Sequence, residues 1–511
     1  MADEHDQNMI NDDDGEVVLN SDPDNEQPSC LGRLLLQPEE ARLWDLILLL
    51  FSSDVESRDF IDCSGGRRPQ GADFHPRWLI FISVAAQKLF RRSRQPMERI
   101  GRGLELWLNL LSNNGGLLKL LLKLLNGKVV WPERSSSEFT SLIGNLDRRV
   151  EMDKNVRPGH RRYKAVLSLM AAKLSYENEA FVKSVVQDCW KMEFIGFYNF
   201  WNEYQGEAST QAIMLKDTTS APNLTIIAFR GTSPFDAAAW CTDVDLSWYQ
   251  IQGVGKLHAG FMKALGLQKT GWPIELVSPP QDNGPASTHP PSAYYSLRAM
   301  LKEEMKKDAD SKFVLTGHSL GGALAILFVG VLALHGEAEL LERLEGVYTF
   351  GQPRVGDAEF GGYMEGKLKE YEIKYMRFVY GNDVVPRLPY DDRTLFYKHF
   401  GPTLFYNSCY KVKVMVEEPN KNYFSPLWVV PKVLNAVWEL MRSFMFPYIR
   451  GREFRETWLM RVFRVLGLMM PGLANHCPQD YDNCTRLGSW PSSLRPPDAH
   501  NREKKLIHHQ D

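Results

Sequence analysis

The clearest pattern of apolar and polar positions lies in the middle of the chain, at residues 312–335. Phe313–Leu315 is a short apolar run between polar neighbours, which is typical of a buried strand. Ala323–Leu334 is almost wholly apolar and long enough for a buried helix. Residues 317–321, between the two runs, read Gly-x-Ser-x-Gly. This order predicts a strand, a sharp turn at Ser319 and a helix.

Further strands are predicted downstream, and acidic residues follow them. Tyr375–Tyr380 is one such strand, and Asp383 stands just after it. Asp357 follows an earlier predicted strand end, whereas Asp391 and Asp392 lie in a more polar loop. A mostly parallel sheet flanked by helices is the expected α/β architecture, and such sheets present functional groups at the carboxyl ends of their strands.

The first quarter of the chain has a different pattern. Residues 1–29 are acidic and polar, so we expect them to be disordered. Residues 30–135 are expected to form an apolar helical region. Its three apolar stretches are Leu43–Phe51, Trp78–Ala86 and Leu104–Leu125. None supplies about 20 unbroken apolar residues, so a membrane-spanning helix is not expected. Helices lying in a lipid surface are one interpretation, and a helical subdomain packed on the rest of the chain is the other.

The α/β domain is predicted over 136–490, followed by a polar tail at 491–511. It contains an apolar and basic insertion at 423–473. The insertion interleaves aromatic and basic side chains: Trp428, Lys432, Trp438, Arg442, Phe444, Phe446, Tyr448, Arg450, Arg452, Phe454, Arg455, Trp458, Arg461, Phe463 and Arg464. Such a mixture suits an anionic lipid interface, and self-association into a homo-oligomer is the alternative.

Composition narrows the classes of function. The chain has 511 residues, of which 44% are hydrophobic and 24% charged, enough for a large core. Its net charge of −3 argues against nucleic acid as a partner. Seven scattered cysteines suit a reducing compartment. The first residues lack a basic segment followed by an apolar core, so we expect a protein that is not secreted.

The turn at Ser319 has the form of a nucleophile elbow. A serine there is exposed to substrate, and the following helix N-terminus offers N–H groups to a developing oxyanion. A serine needs a base, oriented by a carboxylate, and the usual chain order is Ser, then Asp or Glu, then His. Asp383 is the preferred acid because of its position at a strand end, and Asp357 competes with it.

Spacing alone leaves the base open between His399 and His476. His399 is near the acid in sequence, and His476 opens a loop after a long apolar segment. His500, His508 and His509 lie in the polar tail.

Several motifs together resemble the class 3 (fungal-type) lipase family, and within it the plant oil-body triacylglycerol lipases. The matching segments are Ala171–Tyr176, Ile226–Thr232, Leu257–Phe261, the elbow, Thr349–Gly356, Asn382–Pro389 and the pairs Asn475-His476 and Asp480-Tyr481. They occur in the family's order over more than half of the chain. The resemblance implies an α/β-hydrolase fold.

The resemblance also implies roles for individual residues. His476 becomes the base, and His399 and His258 become structural residues. Thr232 and Leu320 are the expected oxyanion-hole residues, and Asp243 is the acid that supports the Thr232 hydroxyl. Ser233-Pro234 predicts the start of a short helix, which we interpret as part of a lid.

A function follows from the same resemblance. It implies a serine ester hydrolase that releases fatty acids from triacylglycerols at the cytoplasmic face of oil bodies. Diacylglycerols and monoacylglycerols are possible further substrates. A phospholipase A1 and a non-catalytic lipid-droplet coat or tethering protein are the alternatives. No metal or other cofactor is expected, since the sequence contains no HExxH, paired CxxC or EF-hand pattern.

Overall fold

The computed structural model describes residues 30–51, 58–64, 74–268, 276, 292–391, 395–421, 423–451 and 454–493. The predictions for residues 1–29 and for most of the 491–511 tail, including the three histidines there, lie outside these ranges. Asp392 also lies outside them.

The strands fall into two sheets. In chain order they are β1 (Cys30–Leu36), β2 (Ile61–Ser64), β3 (Glu193–Asn202), β4 (Glu207–Asp217), β5 (Leu224–Phe229), β6 (Trp248–Ile251), β7 (Gly255–His258), β8 (Lys312–His318), β9 (Leu344–Phe350), β10 (Lys374–Tyr380), β11 (Thr403–Tyr406) and β12 (Val412–Met415). The larger, eight-stranded sheet has the order β12-β11-β10-β9-β8-β5-β4-β3. Strands β5, β8, β9, β10 and β11 are parallel to one another, and the outer strands β3, β4 and β12 pair in antiparallel fashion. The prediction of a mostly parallel central sheet is therefore confirmed.

The described part of the chain also forms α-helices. In chain order they are α1 (Leu43–Phe51), α2 (Phe74–Asn113), α3 (Leu117–Leu125), α4 (Leu142–Leu146), α5 (Tyr163–Leu174), α6 (Glu179–Ser184), α7 (Ala237–Val244), α8 (Ala259–Ala264), α9 (Ala293–Lys307), α10 (Leu320–Leu334), α11 (Ala338–Arg343), α12 (Ala358–Glu370), α13 (Val429–Ile449), α14 (Trp458–Gly467) and α15 (Pro478–Leu487). One apolar cluster joins alternate strand residues to α8, α9, α10 and α12, and a second joins the other residues to α5, α6 and α15. Burial on both faces explains why β5 and β8 read as continuous apolar runs.

A second, four-stranded sheet attaches the N-terminal region to the α/β domain. Its order is β2-β1-β6-β7, and Arg33 of β1 pairs with Tyr249 of β6. Residues 30–135 were expected to be helical, so the two strands β1 and β2 are a difference from that expectation. A short apolar run such as Leu34–Leu36 fits strand or helix equally well by periodicity, and pairing with β6 makes it a strand.

Helix α2 packs along α7, the helix that follows β5. The Ser83 hydroxyl donates to the Val244 carbonyl at 2.7 Å, and the Phe90 and Trp240 rings stack with centroids 5.8 Å apart. Gly101 permits close approach, since a Cβ atom there would lie 2.7 Å from the Phe235 Cβ. The long N-terminal helix thus covers the segment that we interpreted as a lid.

The start of α7 was predicted three residues too early. Ser233 was expected to cap it, but Asp236 is the N-cap and accepts from the Ala239 N–H at 3.0 Å. Residues 233–236 form a turn instead, in which the Asp236 N–H donates to the Ser233 carbonyl. The Ser-Pro pair resembles a helix start, but the Asp236 carboxylate, three residues later, is the group that accepts the capping bond and sets the boundary.

The N-terminal apolar stretches lie on α1, on α2 and on the α2–α3 junction. Gly115 and Gly116, with φ of +77° and +95°, separate α2 from α3. Among the described helices none is both long enough and apolar enough to cross a membrane. Leu120 is the buried leucine of α3. The exposed leucines of α3 are Leu117, Leu118, Leu121, Leu122, Leu124 and Leu125.

The insertion forms the helices α13 and α14, and its basic residues do not all face solvent. Arg442, Arg464 and Lys432 were grouped with the lipid-facing cations, but all three are buried. Arg442 and Arg464 pair with the buried carboxylate of Asp480, each at 3.0 Å. A buried carboxylate has to be paired, and this requirement draws the two guanidinium groups inward.

Candidate active site

Ser319 lies on the turn between β8 and α10 in a strained backbone conformation. Its φ is 58° and its ψ is −131°, which residues with a side chain rarely adopt. The glycines on either side make the turn possible. A Cβ atom on Gly317 would lie 2.1 Å from the Gly321 carbonyl carbon, and one on Gly321 would lie 2.2 Å from the Phe229 oxygen. The serine is therefore held at the carboxyl edge of the sheet, at the N-terminus of a buried helix.

The imidazole that meets Ser319 belongs to His476. Its Nε2 lies 2.8 Å from the Ser319 Oγ. His476 ends a short 3-10 turn, Ala474–His476, just before α15, and its side chain is 18% exposed. A neutral imidazole at this distance can accept the serine proton.

The two other histidines that we considered have different partners. The Nε2 of His399 donates to the Pro386 carbonyl at 2.6 Å, and burial holds the pKa of His399 well below its usual range. His258 caps α8, where its Nδ1 accepts from the Phe261 N–H at 3.3 Å, and burial lowers its pKa to about 4. Both side chains stay neutral and support local structure.

The Asp383 carboxylate lies behind His476 and is fully buried. The His476 Nδ1 donates to its Oδ2 at 2.8 Å, and the Tyr481 hydroxyl donates to the same oxygen at 2.5 Å. Its other oxygen accepts from the Val385 N–H at 2.9 Å. Burial, and then the nearby Asp383 charge, raise the pKa of Tyr481 well above its usual range, so the phenol remains a donor.

The competing acids have other partners. Asp357 caps α12 by accepting from the Phe360 N–H at 2.9 Å, and it also accepts from the Lys256 N–H at 3.1 Å. Asp391 pairs with Lys421 at 2.8 Å. The geometry thus separates Asp383 from the acids that sequence left in competition.

Gly351 allows the carboxylate and the imidazole to approach each other. Its φ is +61°, which favours glycine. A Cβ atom there would lie 2.9 Å from the Asp383 Oδ2 and 3.0 Å from the His476 Cε1. Any side chain at residue 351 would press on both groups.

Thr232 follows β5 and lies beside the elbow. A Cβ atom on the preceding Gly231 would be 3.1 Å from the Ser319 Cβ, so the two segments are in close contact. The Thr232 hydroxyl donates to the Asp243 Oδ2 at 2.6 Å, which links Thr232 to α7. Desolvation raises the pKa of Asp243 to about 7, although the Thr232 hydroxyl and a charged His476 oppose this shift. Leu320, the first residue of α10, places its N–H at the helix N-terminus, where backbone donors face an anion.

His318, next to the serine, was not singled out from the sequence. Its Nε2 donates to the backbone carbonyl of His476 at 2.8 Å, and its Nδ1 accepts from the Tyr176 hydroxyl at 2.9 Å. Burial holds the pKa of His318 well below its usual range, so it remains neutral. Tyr176 belonged to a motif that carried the resemblance, and the signal for His318 was its position inside the elbow, directly before the serine.

Within the described part of the chain, no group of three or more His, Cys, Asp and Glu side chains could hold a metal ion. The reactive groups of the site are a hydroxyl, an imidazole and a carboxylate, joined in that order by hydrogen bonds. This arrangement can activate the hydroxyl for attack on an electrophilic carbon.

A serine on a strained strand–helix turn, bonded to a histidine and through it to a buried aspartate on a mostly parallel sheet, defines a serine hydrolase of the α/β-hydrolase class. Residues 226–393 match the family described as lipase (class 3). Triacylglycerol lipase OBL1 of Nicotiana tabacum is 41% identical over 539 residues, which cover 89% of this chain and 94% of the relative. Triacylglycerol lipase OBL1 of Arabidopsis thaliana is 43% identical, covering 81% of this chain and 85% of the relative. The chain belongs to the class 3 lipase family.

Solved structures show a more distant similarity. The triacylglyceride lipase of Rhizomucor miehei is 23% identical with a TM-score of 0.34, over 47% of this chain and 77% of that one.

Proposed function

We propose that this protein hydrolyses triacylglycerols at the oil-body surface, with Ser319 as nucleophile, His476 as general base and Asp383 as the residue that orients the imidazole. The observation that carries the proposal is the continuous series of bonds from the Ser319 Oγ through His476 to Asp383, each 2.8 Å long. The names of the two plant relatives support triacylglycerol as the substrate.

The acylation step follows from this geometry. His476 Nε2 takes the proton as Ser319 Oγ attacks the ester carbonyl carbon, and a tetrahedral oxyanion forms. Asp383 keeps the Nδ1 proton in place and stabilises the imidazolium. The imidazolium then gives its proton to the glycerol oxygen, the C–O bond breaks, and the diacylglycerol leaves.

The N–H groups of Thr232 and Leu320 are our candidates for the oxyanion hole. Each preorganised donor of this kind lowers the barrier by about 3 kcal/mol. Asp243 holds the Thr232 side chain at 2.6 Å and so supports the position of the Thr232 N–H. Deacylation uses the same groups, because His476 removes a proton from water, which attacks the acyl carbon and releases the fatty acid.

Substrate access requires local movement, because Ser319 is only 6% exposed. We keep α7 as the candidate lid. Since α2 packs on α7 through Ser83 and Phe90, opening of α7 would require α2 to shift as well. We therefore propose that the N-terminal region, rather than one short helix, controls access.

Lipid contact is proposed for the exposed apolar faces within 30–135 and 423–473. On α3 the exposed leucines accompany Lys119 and Lys123, a composition suited to a phospholipid layer over neutral lipid. On the insertion the exposed apolar residues include Leu427, Val430, Leu434, Met441, Phe444, Tyr448, Ile449, Trp458, Val465, Leu466 and Met469. These surfaces suit binding to the cytoplasmic face of an oil body, and self-association through them is the competing outcome.

The deciding experiment compares fatty-acid release from emulsified triolein and from phosphatidylcholine vesicles, with Ser319→Ala as the blank. Release from triolein alone supports a triacylglycerol lipase. Release chiefly from phosphatidylcholine would identify the protein as a phospholipase A1 instead. If the folded protein released fatty acid from neither substrate, a coat or tethering protein would be favoured.

A further inference from the structure

We propose that Glu439, in the insertion helix α13, is a positioning residue that holds the acid-bearing and base-bearing segments of the active site together. The inference rests on the proposed roles of Asp383 and His476. Glu439 is 2% exposed and lies outside the residues matched by the family. Nothing in its own sequence neighbourhood marks it as functional.

One oxygen of Glu439 receives hydrogen bonds from both segments. The Asn475 Nδ2 donates to its Oε1 at 2.8 Å, and Asn475 directly precedes His476. The Tyr380 hydroxyl donates to the same oxygen at 3.0 Å. Tyr380 ends β10, and its carbonyl accepts from the Asp383 N–H at 3.0 Å. Two segments that are far apart in sequence are therefore fixed to one atom.

Asn475 also rests directly on the turn that carries the acid. A Cβ atom on Gly381 would lie 2.4 Å from the Asn475 Nδ2 and 3.5 Å from the Glu439 Oε1. The amide is thus confined between the turn at residues 381–383 and Glu439. If residue 439 no longer accepted from the Asn475 amide, the loop before His476 would lose this hydrogen bond to α13.

Buried cations keep Glu439 in place. The Arg464 Nη1 donates to its Oε2 at 3.3 Å, and the Arg442 Nη1 donates to the Tyr380 hydroxyl at 2.6 Å. Both guanidinium groups also pair with Asp480. Together with Glu456, the cluster contains three carboxylates and two cations, so removal of the Glu439 charge leaves it balanced. Glutamine therefore tests the bonds from Asn475 and Tyr380, which its amide oxygen can accept, while its NH2 group replaces the oxygen that accepts from Arg464 at 3.3 Å.

The test uses the full-length protein and a soluble short-chain p-nitrophenyl ester, so lipid binding does not enter. Glu439→Ala is expected to lower kcat about tenfold or more with little change in KM, because a small displacement of the base is costly for the chemical step. The rate of Ser319 phosphonylation by a small organophosphonate should fall by the same factor. Glu439→Gln should keep kcat within about twofold of the unmodified protein, since its amide oxygen still accepts from Asn475 and Tyr380.

Glu304→Ala is the matched control. Glu304, on α9, is 4% exposed and pairs with Lys216 at 2.9 Å. Lys216 lies on β4, opposite Thr225 at the start of β5. Thr232 follows the other end of β5, so the Glu304–Lys216 ion pair is far from the active site along that strand. This control should lose thermal stability and keep kcat. Equal kcat values for Glu439→Ala and Glu304→Ala would overturn the inference, as would equal losses for Glu439→Ala and Glu439→Gln.

Asn475→Ala keeps the inference testable if Glu439→Ala does not fold. It should reproduce the fall in kcat, and the double variant with Glu439→Gln should lose little more than Asn475→Ala alone. Unchanged kcat in Asn475→Ala would contradict the positioning role. Ser319→Ala separates this result from the proposed function: hydrolysis that survives in that variant overturns the function itself, whatever Glu439 does.

Discussion

The imidazole of His318 donates from Nε2 to the backbone carbonyl of His476, across 2.8 Å. His318, the residue before Ser319, therefore holds the main chain of His476, while Ser319 itself meets the side chain of His476. This arrangement couples the elbow to the loop of His476 by two separate bonds.

His318→Phe should lower kcat about tenfold, because the lost hydrogen bond to a buried carbonyl is of order 1–1.5 kcal/mol. The measurement is kcat on a soluble ester, with thermal unfolding as a check on folding. Tyr176→Phe, which removes the hydroxyl that fixes the His318 tautomer, should have a smaller effect in the same direction. An undiminished kcat in His318→Phe would show that the carbonyl bond is not needed.

His476→Ala and His399→Ala should separate catalysis from stability. His476→Ala is expected to lower kcat by at least about 10⁴-fold, because the serine loses its base. His399→Ala should keep kcat but destabilise the protein by about 1–3 kcal/mol, since the Pro386 carbonyl loses its donor. Urea unfolding and ester hydrolysis together check both expectations, and exchanged outcomes would make His399 the base.

Tyr481→Phe should reduce kcat without abolishing it. The phenol donates a 2.5 Å bond to the Asp383 Oδ2, and a hydrogen bond to a charged group contributes about 1.5–3 kcal/mol. The Val385 N–H and the His476 Nδ1 still donate to Asp383 in the variant, so we expect a loss of about tenfold to a hundredfold. A kcat as low as that of His476→Ala would mean that Tyr481 has a direct role in the chemistry.

Asp243→Asn should change how stability depends on pH. The folded pKa of Asp243 is about 7, above the ordinary value of 3.8, so the folded state binds its proton more tightly than the unfolded state. Its contribution to stability is therefore present below about pH 4 and is lost as the pH rises toward 7. The free energy of unfolding of Asp243→Asn, relative to that of the unmodified protein, should therefore increase as the pH rises from about 4 to about 7. Urea unfolding of both proteins at several pH values measures this difference, and a constant difference would contradict the shift.

Single charges on the exposed apolar faces should reduce lipid binding. Leu118→Asp on α3 and Met469→Asp after α14 alter side chains that are 78% and 89% exposed, so folding should not change. Both should lower the fraction of protein that floats with triolein droplets coated by anionic phospholipid. Val416→Asp, at a 43% exposed residue after β12, is the control. Flotation equal to that control would remove the altered face from the proposed lipid contact.

The residues that we propose as nucleophile and acid could be singled out from sequence because each follows a strand. Ser319 follows β8 and Asp383 follows β10, so local pattern and position in the sheet agree. The base could not be placed in this way. Asp383 and His476 are 93 residues apart. The apolar pattern of the insertion between them does not indicate that the chain comes back to Asp383 at His476. Only the resemblance distinguished His476 from His399.

The differences between prediction and structure have a common physical origin in tertiary contacts. Leu34–Leu36 forms a strand because β6 offers it an edge, and Arg442 and Arg464 are buried because Asp480 needs partners. Neither partner is close in sequence. A composition rich in aromatics and arginines therefore indicated a surface, while part of it supplied an internal ion-pair cluster.

The pairing of β1 with β6 also bears on how the chain is made. The Leu36 N–H donates to the Ser247 hydroxyl, and these residues are 211 positions apart. At a synthesis rate of roughly 5–20 residues per second, β1 emerges from the ribosome about 10–40 s before its partner. During that interval the leucines of α1, and later those of α3, emerge without the fold that orients them. Nascent chains of this protein should therefore depend on chaperones, or on early contact with lipid, before the small sheet can close.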